Sequence, residues 1–439
     1  MVNVFRKFLS SKDVHFQELI KGSAAAFGVK VFAALAAFIF NVFIARLLGA
    51  GGSGIFFLAS TIIAFAATLS RVGMENVLVR SIAADVASSG GSKVSAIYRK
   101  VLLYPSIVSV FAVLIVFLSS SFISGDLLSK PELEHPLALM SLAIPALALL
   151  ALHAHALQGL RKSAASVSVL SVFTPIFGSV LAVAVVPSYG VQGAVVAFVV
   201  SAFLTLVVGR VFWVKYRPSL KNAASNWSGS DLFARSMPLF AIVVLNQVIT
   251  WSPMIFLGVW ETNENIGIFS AATRTAMLTS FVLVAVNTIA APKFAALHEI
   301  GDKEGLGRLA RSSAILMMAL AFPILVFFTI FPEWTLSIFG EQFRVGANVL
   351  TILAVGQYVN VATGSVGYLL IMSGNEKVMR NNLFVSASLG LLLSIVLIPR
   401  FGVVGAAISA SVTLSLQNII AYYLVRKRLG ISIYVKGFV

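Results

Sequence analysis

Apolar stretches of about 20 residues recur along the whole chain, and they limit its possible folds more than any other feature. A helix of that length rises about 1.5 Å per residue and crosses the roughly 30 Å hydrocarbon core of a bilayer. A membrane-spanning barrel would instead show short segments of alternating hydrophobicity, which this sequence lacks. The sequence therefore predicts an all-α integral membrane protein that crosses the bilayer many times.

The composition agrees with that prediction. Hydrophobic residues make up 59% of the 439 residues and charged residues only 11%, against about a quarter in soluble proteins. The absence of cysteine excludes disulfides, thiolate metal sites and cysteine nucleophiles. Twelve transmembrane helices are predicted, at residues 23–45, 54–74, 101–121, 137–158, 164–186, 191–213, 237–260, 267–291, 312–331, 346–372, 380–399 and 402–425.

The distribution of lysine and arginine predicts the orientation of these spans. With the N-terminus placed in the cytoplasm, the loops on that side hold 25 of the 32 basic residues and the outer loops hold four. This asymmetry follows the positive-inside rule. We therefore expect both termini to be cytoplasmic. The net charge of +16 then reflects topology, and we expect no nucleic-acid partner.

The two halves of the sequence repeat each other. The motif Pro-x-x-Gly-Val-x-Gly-Ala occurs at 187–194 and again at 399–406, Gly54 matches Gly267, and Gly159 matches Gly374. An even number of spans per repeat makes the repeats parallel. The sequence thus predicts two six-helix lobes, residues 1–222 with spans 1–6 and residues 223–439 with spans 7–12, that rock about a central cleft.

Basic residues occur inside the predicted spans, whereas acidic residues do not. Lys30, Arg71 and Arg274 lie within spans, Arg46 closes the first span, and all sixteen acidic residues fit in loops or at span ends. Intramembrane charge is costly and tends to be functional, and exporters of cations usually hold a buried carboxylate. We therefore expect an anionic substrate such as a pyrophosphate. A second interpretation is that Lys30 and Arg71 only snorkel to the cytoplasmic surface.

Polar residues within the spans are candidates for a sugar-binding cavity wall. Amides and tryptophan can hold a sugar ring by hydrogen bonding and stacking, although polar residues that only pack helices together give the same pattern. The candidates are Asn41, which shares a helical face with Lys30, Asn246, Gln247 and Trp251 in the seventh span, and Gln357 and Asn360 in the tenth.

No enzyme motif occurs in the sequence: it has no P-loop, nucleophile elbow or HExxH. We therefore expect a transporter with no cofactor and no metal site, since His153 and His155 cannot share a helical face. Two alternatives stay open. One is a small-molecule or drug exporter, and the other is a membrane glycosyltransferase or polymerase, which would normally present a large outer loop with catalytic acids.

Residues around the first two spans resemble the N-terminal signature of a known family. Ala45-Arg46-Leu47-Leu48-Gly49 closes the first span, Gly54 opens the second, and Gly73 and Val79-Arg80 follow it. This pattern is similar to that of the polysaccharide-biosynthesis flippases. These are O-antigen-type (Wzx-like) flippases for lipid-linked oligosaccharides, in the multidrug/oligosaccharidyl-lipid/polysaccharide (MOP) exporter superfamily. Twelve spans and duplicated halves agree with the resemblance over essentially the whole chain.

The resemblance implies a MATE-like fold in the bacterial inner membrane and an undecaprenyl-pyrophosphate-linked oligosaccharide, an O-antigen or exopolysaccharide repeat unit, as substrate. It also implies a cationic central cavity, for which Lys30, Arg46, Arg71 and Arg274 are the candidates. The expected partners are that lipid-linked substrate, membrane lipid, and the polysaccharide polymerase with its chain-length machinery. The protein itself is expected to be a monomer.

Overall fold

The structure, a computed structural model, describes residues 14–218 and 229–432. The predicted lobe boundary at 222 and 223 and both chain termini lie outside the described residues. Within them the chain is helical almost throughout and has no β-strand. The helices are α1 (Val14–Ser70), α2 (Met74–Ser89), α3 (Val94–Leu118), α4 (Glu134–Ser141), α5 (Ala143–Gly159), α6 (Ser163–Ser171), α7 (Phe173–Tyr216), α8 (Gly229–Trp260), α9 (Asn263–Ala276), α10 (Phe281–Glu299), α11 (Lys303–Ile330), α12 (Pro332–Ser337), α13 (Ala347–Ala362), α14 (Val366–Met372) and α15 (Glu376–Leu429).

Among the described residues, eight helices or runs of helices are long and apolar enough to cross a membrane. A ninth candidate is formed by residues 131–141 together with α5, which meet at a bend of 45°. The protein is therefore a multi-pass membrane protein built from helices, as the apolar stretches predict.

The three longest helices, α1, α7 and α15, each fold back on themselves at a glycine. Gly49, Gly190 and Gly402 have φ values of 70°, 54° and 54°, which is the left-handed region that glycine reaches without strain. Across the third turn, the hydroxyls of Ser394 and Ser409 lie 2.9 Å apart. In a straight helix, the 15 residues between them would separate them by about 22 Å. Each long helix is therefore an antiparallel hairpin.

The glycine turns lie at one end of the molecule, here called the turn end. A Cβ atom on Gly52 would lie 3.3 Å from Val191, which follows the turn at Gly190. The junction between α8 and α9 reaches the other two turns, because Glu261 lies against Gly402 and Asn263 lies against Gly54. The distribution of basic residues predicts that the turn end faces the outside.

Backbone geometry supports the sequence duplication. Gly190 and Gly402, which match in the repeated motif, have the same conformation, with ψ values of −133° and −130°. Both repeats also end a helix in the same way. The N–H groups of Arg161 and Lys162 donate to carbonyls three and five residues earlier, and those of Gly374 and Asn375 do the same.

This helix ending corrects one of the predicted matches. Arg161 and Gly374, both with positive φ, are the equivalent residues, so the match of Gly159 with Gly374 is wrong by two positions. The corrected pair has the same spacing in sequence as Gly54 and Gly267. At this spacing Lys162 corresponds to Asn375, whose N–H group makes the matching hydrogen bond.

The two halves meet at a reciprocal crossing of α1 and α9. A Cβ atom on Gly54 would overlap the carbonyl oxygen of Asn263, and a Cβ atom on Gly267 would overlap that of Ala50. Ala50 and Asn263 have the same spacing in sequence as the two glycines, so each contact is the repeat of the other. Only glycine allows two backbones to approach this closely.

Candidate functional site

Arg274 reaches the contact between the two repeats. It lies in the last turn of α9, a helix that begins where the Thr262 hydroxyl accepts a hydrogen bond from the backbone N–H of Asn265. Its guanidinium carbon is 4.3 Å from the ring centroid of Phe57, a fully buried residue of α1. This distance is that of a cation–π contact.

The cation at Arg274 has no acidic partner in the part of the chain that the structure describes. Across residues 14–218 and 229–432, no hydrogen bond or ion pair joins its guanidinium to another side chain or to the backbone. An aromatic face satisfies a guanidinium only in part, because the five N–H donors are left over. An anion with several acceptor oxygens is the ligand that would complete this site.

A second polar group lies deeper on the same interface, centred on Thr68 of α1. The Thr68 hydroxyl accepts hydrogen bonds from Arg71 Nη2 at 3.2 Å and from Gln247 Nε2 at 3.1 Å. Gln247 belongs to α8, so this contact joins the two repeats. The structure thus brings together two of the predicted site residues, Arg71 and Gln247, through a threonine that links them.

Distances along the helices place these groups in two layers. Arg274 is about seven residues beyond the crossing at Gly267, or about 10 Å further from the turn end. Thr68 is about 14 residues beyond Gly54, or about 21 Å. Lys30 lies at the depth of Thr68, since the two are equally far in sequence from the turn at Gly49, and its side chain is half-buried. Three of the four predicted cations, Lys30, Arg71 and Arg274, are therefore half-buried and lie away from the turn end.

The two predicted amides of the tenth span form a third polar group. Gln357 and Asn360 of α13 both contact the hydroxyl of Ser280, which donates to Gln357 Oε1. Asn360 Nδ2 lies 3.4 Å from that hydroxyl and 3.5 Å from Gln357 Oε1. Ser280 ends the short 3₁₀ turn Met277–Ser280 that follows Arg274. This group lies at about the depth of Thr68, roughly 13 residues beyond Gly267.

Three other predicted wall residues stand apart from these groups. Asn41 is buried and donates to the carbonyl of Ala37 one turn earlier, at 2.7 Å. Asn246 is exposed and donates to the carbonyl of Ile242 at 2.9 Å. Trp251 is half-buried one turn from Gln247. The side-chain amides of Asn41 and Asn246 each donate to a carbonyl of their own helix, so these bonds do not use the amide oxygens as acceptors.

Arg46, the fourth predicted cation, lies at the turn end rather than in the interior. Its Nε donates to the carbonyl of Ile338 at 2.7 Å, which joins the first repeat to the second. Lys130 makes a parallel contact, because its buried ammonium donates to the carbonyl of Glu261 at 2.5 Å. Burial lowers the pKa of Lys130, and the nearby carboxylates of Glu132 and Glu261 partly oppose that effect.

Sequence reasoning missed Phe57, Thr68 and Ser280. Each is an unremarkable residue type within an apolar span, and only its position across from a cation or an amide makes it relevant. The one available pattern is the repeat itself. With the sequence offset that relates Gly54 to Gly267, the residue equivalent to Arg274 in the first repeat is Thr61, which lies one helical turn after Phe57. The described residues contain no group of three metal-ligating side chains.

Comparison with known proteins decides the family. The model of a family described as "Polysaccharide biosynthesis protein" matches residues 19–298. The chain belongs to this family. This match confirms the resemblance to the polysaccharide-biosynthesis family that was inferred from the residues around Arg46.

Proteins that are similar to the chain include two flippases and a multidrug transporter. The chain is 23% identical over 411 residues to the probable low-salt glycan biosynthesis flippase Agl15 of Haloferax volcanii, a match that covers 93% of this chain and 84% of that protein. Its fold is similar to that of the lipid II flippase MurJ in an inward closed conformation, with a TM-score of 0.73, 14% identity, and coverage of 91% and 87%. It is also similar to an inward-facing MATE multidrug transporter of the MOP superfamily, with a TM-score of 0.64, 13% identity, and coverage of 93% and 98%.

Proposed function

We propose that the protein moves a lipid-linked, anionic glycan from the cytoplasmic to the outer leaflet of the membrane by alternating access. Family membership and the flippase relatives support the class of activity. The observation that carries the proposal is the guanidinium of Arg274 between the repeats, which has no hydrogen-bond or acidic partner among the described residues. A pyrophosphate supplies the acceptor oxygens that this group lacks, whereas a cationic drug would be repelled by it.

The proposal rests on a scaffold of twelve spans with both termini in the cytoplasm. Counting the bent pair as one span and each of the three glycine hairpins as two gives twelve spans in the described residues. The reciprocal contact of Gly54 and Gly267 supports two parallel six-helix lobes that rotate against each other about this point. The positive-inside rule supports the orientation.

The cationic layers would carry the headgroup in two steps. Lys30 and Arg71, at the deeper level, would receive the pyrophosphate from the cytoplasmic leaflet, and Arg274 would receive it about 10 Å closer to the turn end. The polyprenyl tail would stay in lipid between the lobes. The residues proposed to contact the sugars are those predicted from the sequence: Asn41, Asn246, Gln247, Trp251, Gln357 and Asn360.

The membrane potential would assist such a movement. Moving one elementary charge through 100 mV is worth about 2.3 kcal/mol. A pyrophosphate diester with two negative charges that leaves a negative cytoplasm therefore gains about 4.6 kcal/mol by the same arithmetic. That is more than a thousandfold bias, because a tenfold change in an equilibrium constant corresponds to about 1.4 kcal/mol.

The finer assignment of the substrate follows the sequence resemblance. We propose an undecaprenyl-pyrophosphate-linked O-antigen or exopolysaccharide repeat unit, handled by a monomer in the bacterial inner membrane and passed to a polymerase with its chain-length machinery. The glycan biosynthesis flippase of Haloferax volcanii supports the glycan class of this substrate.

Complementation tests the proposal in cells. Arg274→Ala and Arg71→Ala should abolish surface glycan in a strain without its own copy of the gene, while the protein stays in the membrane at normal abundance. Lys427→Ala, at an exposed position of α15, should complement fully. Full complementation by both Arg274→Ala and Arg71→Ala would contradict the cationic path.

A further inference from the structure

Two lysines lie over one tyrosine ring in the first repeat, at the end of the molecule opposite to the turn end. The ammonium nitrogens of Lys162 and Lys215 are each 5.5 Å from the ring centroid of Tyr216, which is within the range of a cation–π contact. Because both distances end on the same centroid, the two nitrogens are at most 11 Å apart. Lys162 precedes α6, whereas the other two residues end α7. The fold therefore brings two like charges together from separate helices.

Neither ammonium group has an acidic partner among the described residues. Both lysines are exposed, and the ion pairs within residues 14–218 and 229–432 involve other side chains. The segment that follows α7, residues 219–228, adds a lysine and no acidic residue. Within the described part of the chain, the hydroxyl of Tyr216 also makes no hydrogen bond. An anion with several acceptor oxygens is the ligand that would serve all three groups.

A strip of aromatic rings leads from this tyrosine toward the turn end. The ring centroids of Tyr216 and Phe212 are 6.2 Å apart, those of Phe212 and Phe173 are 5.9 Å apart, and those of Phe173 and Phe177 are 6.0 Å apart. All four side chains are half-buried, so each ring keeps an exposed part. The strip begins 26 residues from the turn at Gly190 and ends 13 residues from it, a length of about 20 Å. It therefore covers the roughly 15 Å of hydrocarbon in one leaflet.

The second repeat does not contain this combination. Counted from the equivalent glycine turns, Arg428 occupies the position of Tyr216, and Lys427 occupies that of Lys215. Asn375 occupies the position of Lys162. A general requirement for positive charge in the cytoplasm would act on both repeats alike. The pairing of two lysines with one aromatic ring thus indicates a role that is specific to the first repeat.

The residue before Lys162 has a strained backbone. Arg161 has a φ of 60°, in the left-handed region that is unfavourable for any residue with a side chain. The equivalent residue of the second repeat is Gly374, which adopts positive φ without strain. Strained residues are concentrated at binding and switch segments. The first repeat thus has an exposed arginine here, next to Lys162, where glycine would be less strained.

We propose that Lys162, Lys215 and Tyr216 bind the phosphodiester headgroup of an anionic phospholipid from the cytoplasmic leaflet, with an acyl chain along the aromatic strip. The ammonium groups and the hydroxyl donate to the phosphate oxygens, and the exposed parts of the rings contact the chain. Every residue of this site belongs to the first repeat, so movement between the repeats does not take the site apart. The phospholipid therefore stays bound at one lobe, and the inference does not depend on the function proposed above.

Lipid binding to the purified protein tests this site. The full-length protein in detergent is titrated with phosphatidylglycerol, and the bound lipid molecules are counted by native mass spectrometry. The wild type should have one site that is tighter than the rest, and phosphatidylcholine, which has no net charge, should bind there at least about tenfold more weakly. Lys162→Gln combined with Lys215→Gln should weaken that site at least about tenfold, because each cation contributes about fivefold. Tyr216→Leu should weaken it several-fold.

A matched double variant separates this site from general attraction to a basic surface. Lys427→Gln combined with Arg428→Gln removes two exposed cations from the equivalent helix end of the second repeat and should leave the tight site unchanged. Without lipid, both double variants should unfold at the wild-type midpoint. Equal losses of binding in both double variants would overturn the proposal, as would equally tight binding of phosphatidylcholine.

Competition identifies the source of the phosphate group. Neither inorganic phosphate nor geranyl-pyrophosphoryl-N-acetylglucosamine, at a concentration equal to that of phosphatidylglycerol, should displace the bound phospholipid. Displacement by inorganic phosphate would show that the aromatic strip contributes nothing and would overturn the proposal. Displacement by the pyrophosphate diester would assign the site to a lipid-linked glycan and would equally overturn the assignment to a phospholipid.

Discussion

Gly54 of α1 and Gly267 of α9 cross so closely that neither can carry a side chain. A Cβ atom on Gly54 would overlap the carbonyl oxygen of Asn263, and a Cβ atom on Gly267 would overlap the carbonyl oxygen of Ala50. The two contacts are repeats of each other, so the crossing marks the pseudo-twofold axis between the halves. Movement of one half against the other must therefore either pivot on this point or open it.

Alanine at either glycine should destabilise this crossing. Overpacking of a close contact costs about 1–3 kcal/mol, and here the obstacle is backbone, which cannot rotate away. Gly54→Ala and Gly267→Ala should each lower the thermal unfolding midpoint in detergent and reduce transport. Gly28→Ala, at a helical position with open space around it, is the control and should be neutral or stabilising. Equal midpoints for all three variants would contradict the reciprocal contact.

The equivalence of Arg161 and Gly374 gives a prediction of the opposite sign. Both residues end a helix with positive φ, 60° and 75°, a conformation that costs a residue other than glycine roughly 1–2 kcal/mol. Arg161→Gly should therefore stabilise the protein by about 1 kcal/mol, and Gly374→Arg should destabilise it by a similar amount. Thermal unfolding of the two variants in the same detergent measures both effects. A destabilised Arg161→Gly would show that the side chain has a role of its own.

The contact of Lys130 with Glu261 should hold the turn end closed. Lys130→Met keeps the bulk of the side chain and removes the ammonium that donates across the repeats. Labelling of a single cysteine at Thr273, beside Arg274, by an impermeant thiol reagent from outside should then become several-fold faster. Arg344→Met, which removes an exposed cation paired with Glu341 at the same end, should not change the rate. The absence of native cysteine leaves no background labelling.

Orientation can be tested with the same chemistry. Cysteine at Asp126 or Thr262, both exposed at the turn end, should react with an impermeant reagent outside intact cells, and cysteine at Lys427 should react only after permeabilisation. Ser124 would be a poor probe, because the structure buries it completely. Reaction at Lys427 in intact cells would reverse the orientation that the positive-inside rule predicts.

Apolar length and repeated motifs were sufficient to predict the class of fold. Two of the predicted connections between spans contain the turns at Gly49 and Gly190, and a third, at 400–401, ends one residue before the turn at Gly402. Breaks inside spans were missed. The predicted span 346–372 is interrupted between α13 and α14, where Gly364 has a φ of 79°, and hydropathy averaged over a span does not respond to one residue. Only the glycine itself could have indicated that break.

The charged residues of the candidate site could be predicted from the sequence. The residues that contribute to it only through packing across the repeats could not. Lys30, Arg71 and Arg274 are conspicuous because cations are costly in a membrane, and all three are half-buried in the structure. Arg46 looks the same in sequence, yet its partner, the carbonyl of Ile338, lies 292 residues away. The roles of Phe57 and Thr68 depend on contacts of the same long range, which no local pattern contains.

Transport by the purified protein tests the central claim most directly. Proteoliposomes that contain the protein and a fluorescent polyprenyl-pyrophosphate-linked oligosaccharide should move that lipid between leaflets faster when a potassium-diffusion potential favours export of anions. Arg274→Ala should slow the movement at least about tenfold, the equivalent of about 1.4 kcal/mol in the barrier, and a neutral polyprenyl glycoside without pyrophosphate should stay in place. Equal movement of the neutral glycoside, or an undiminished rate in Arg274→Ala, would contradict the account.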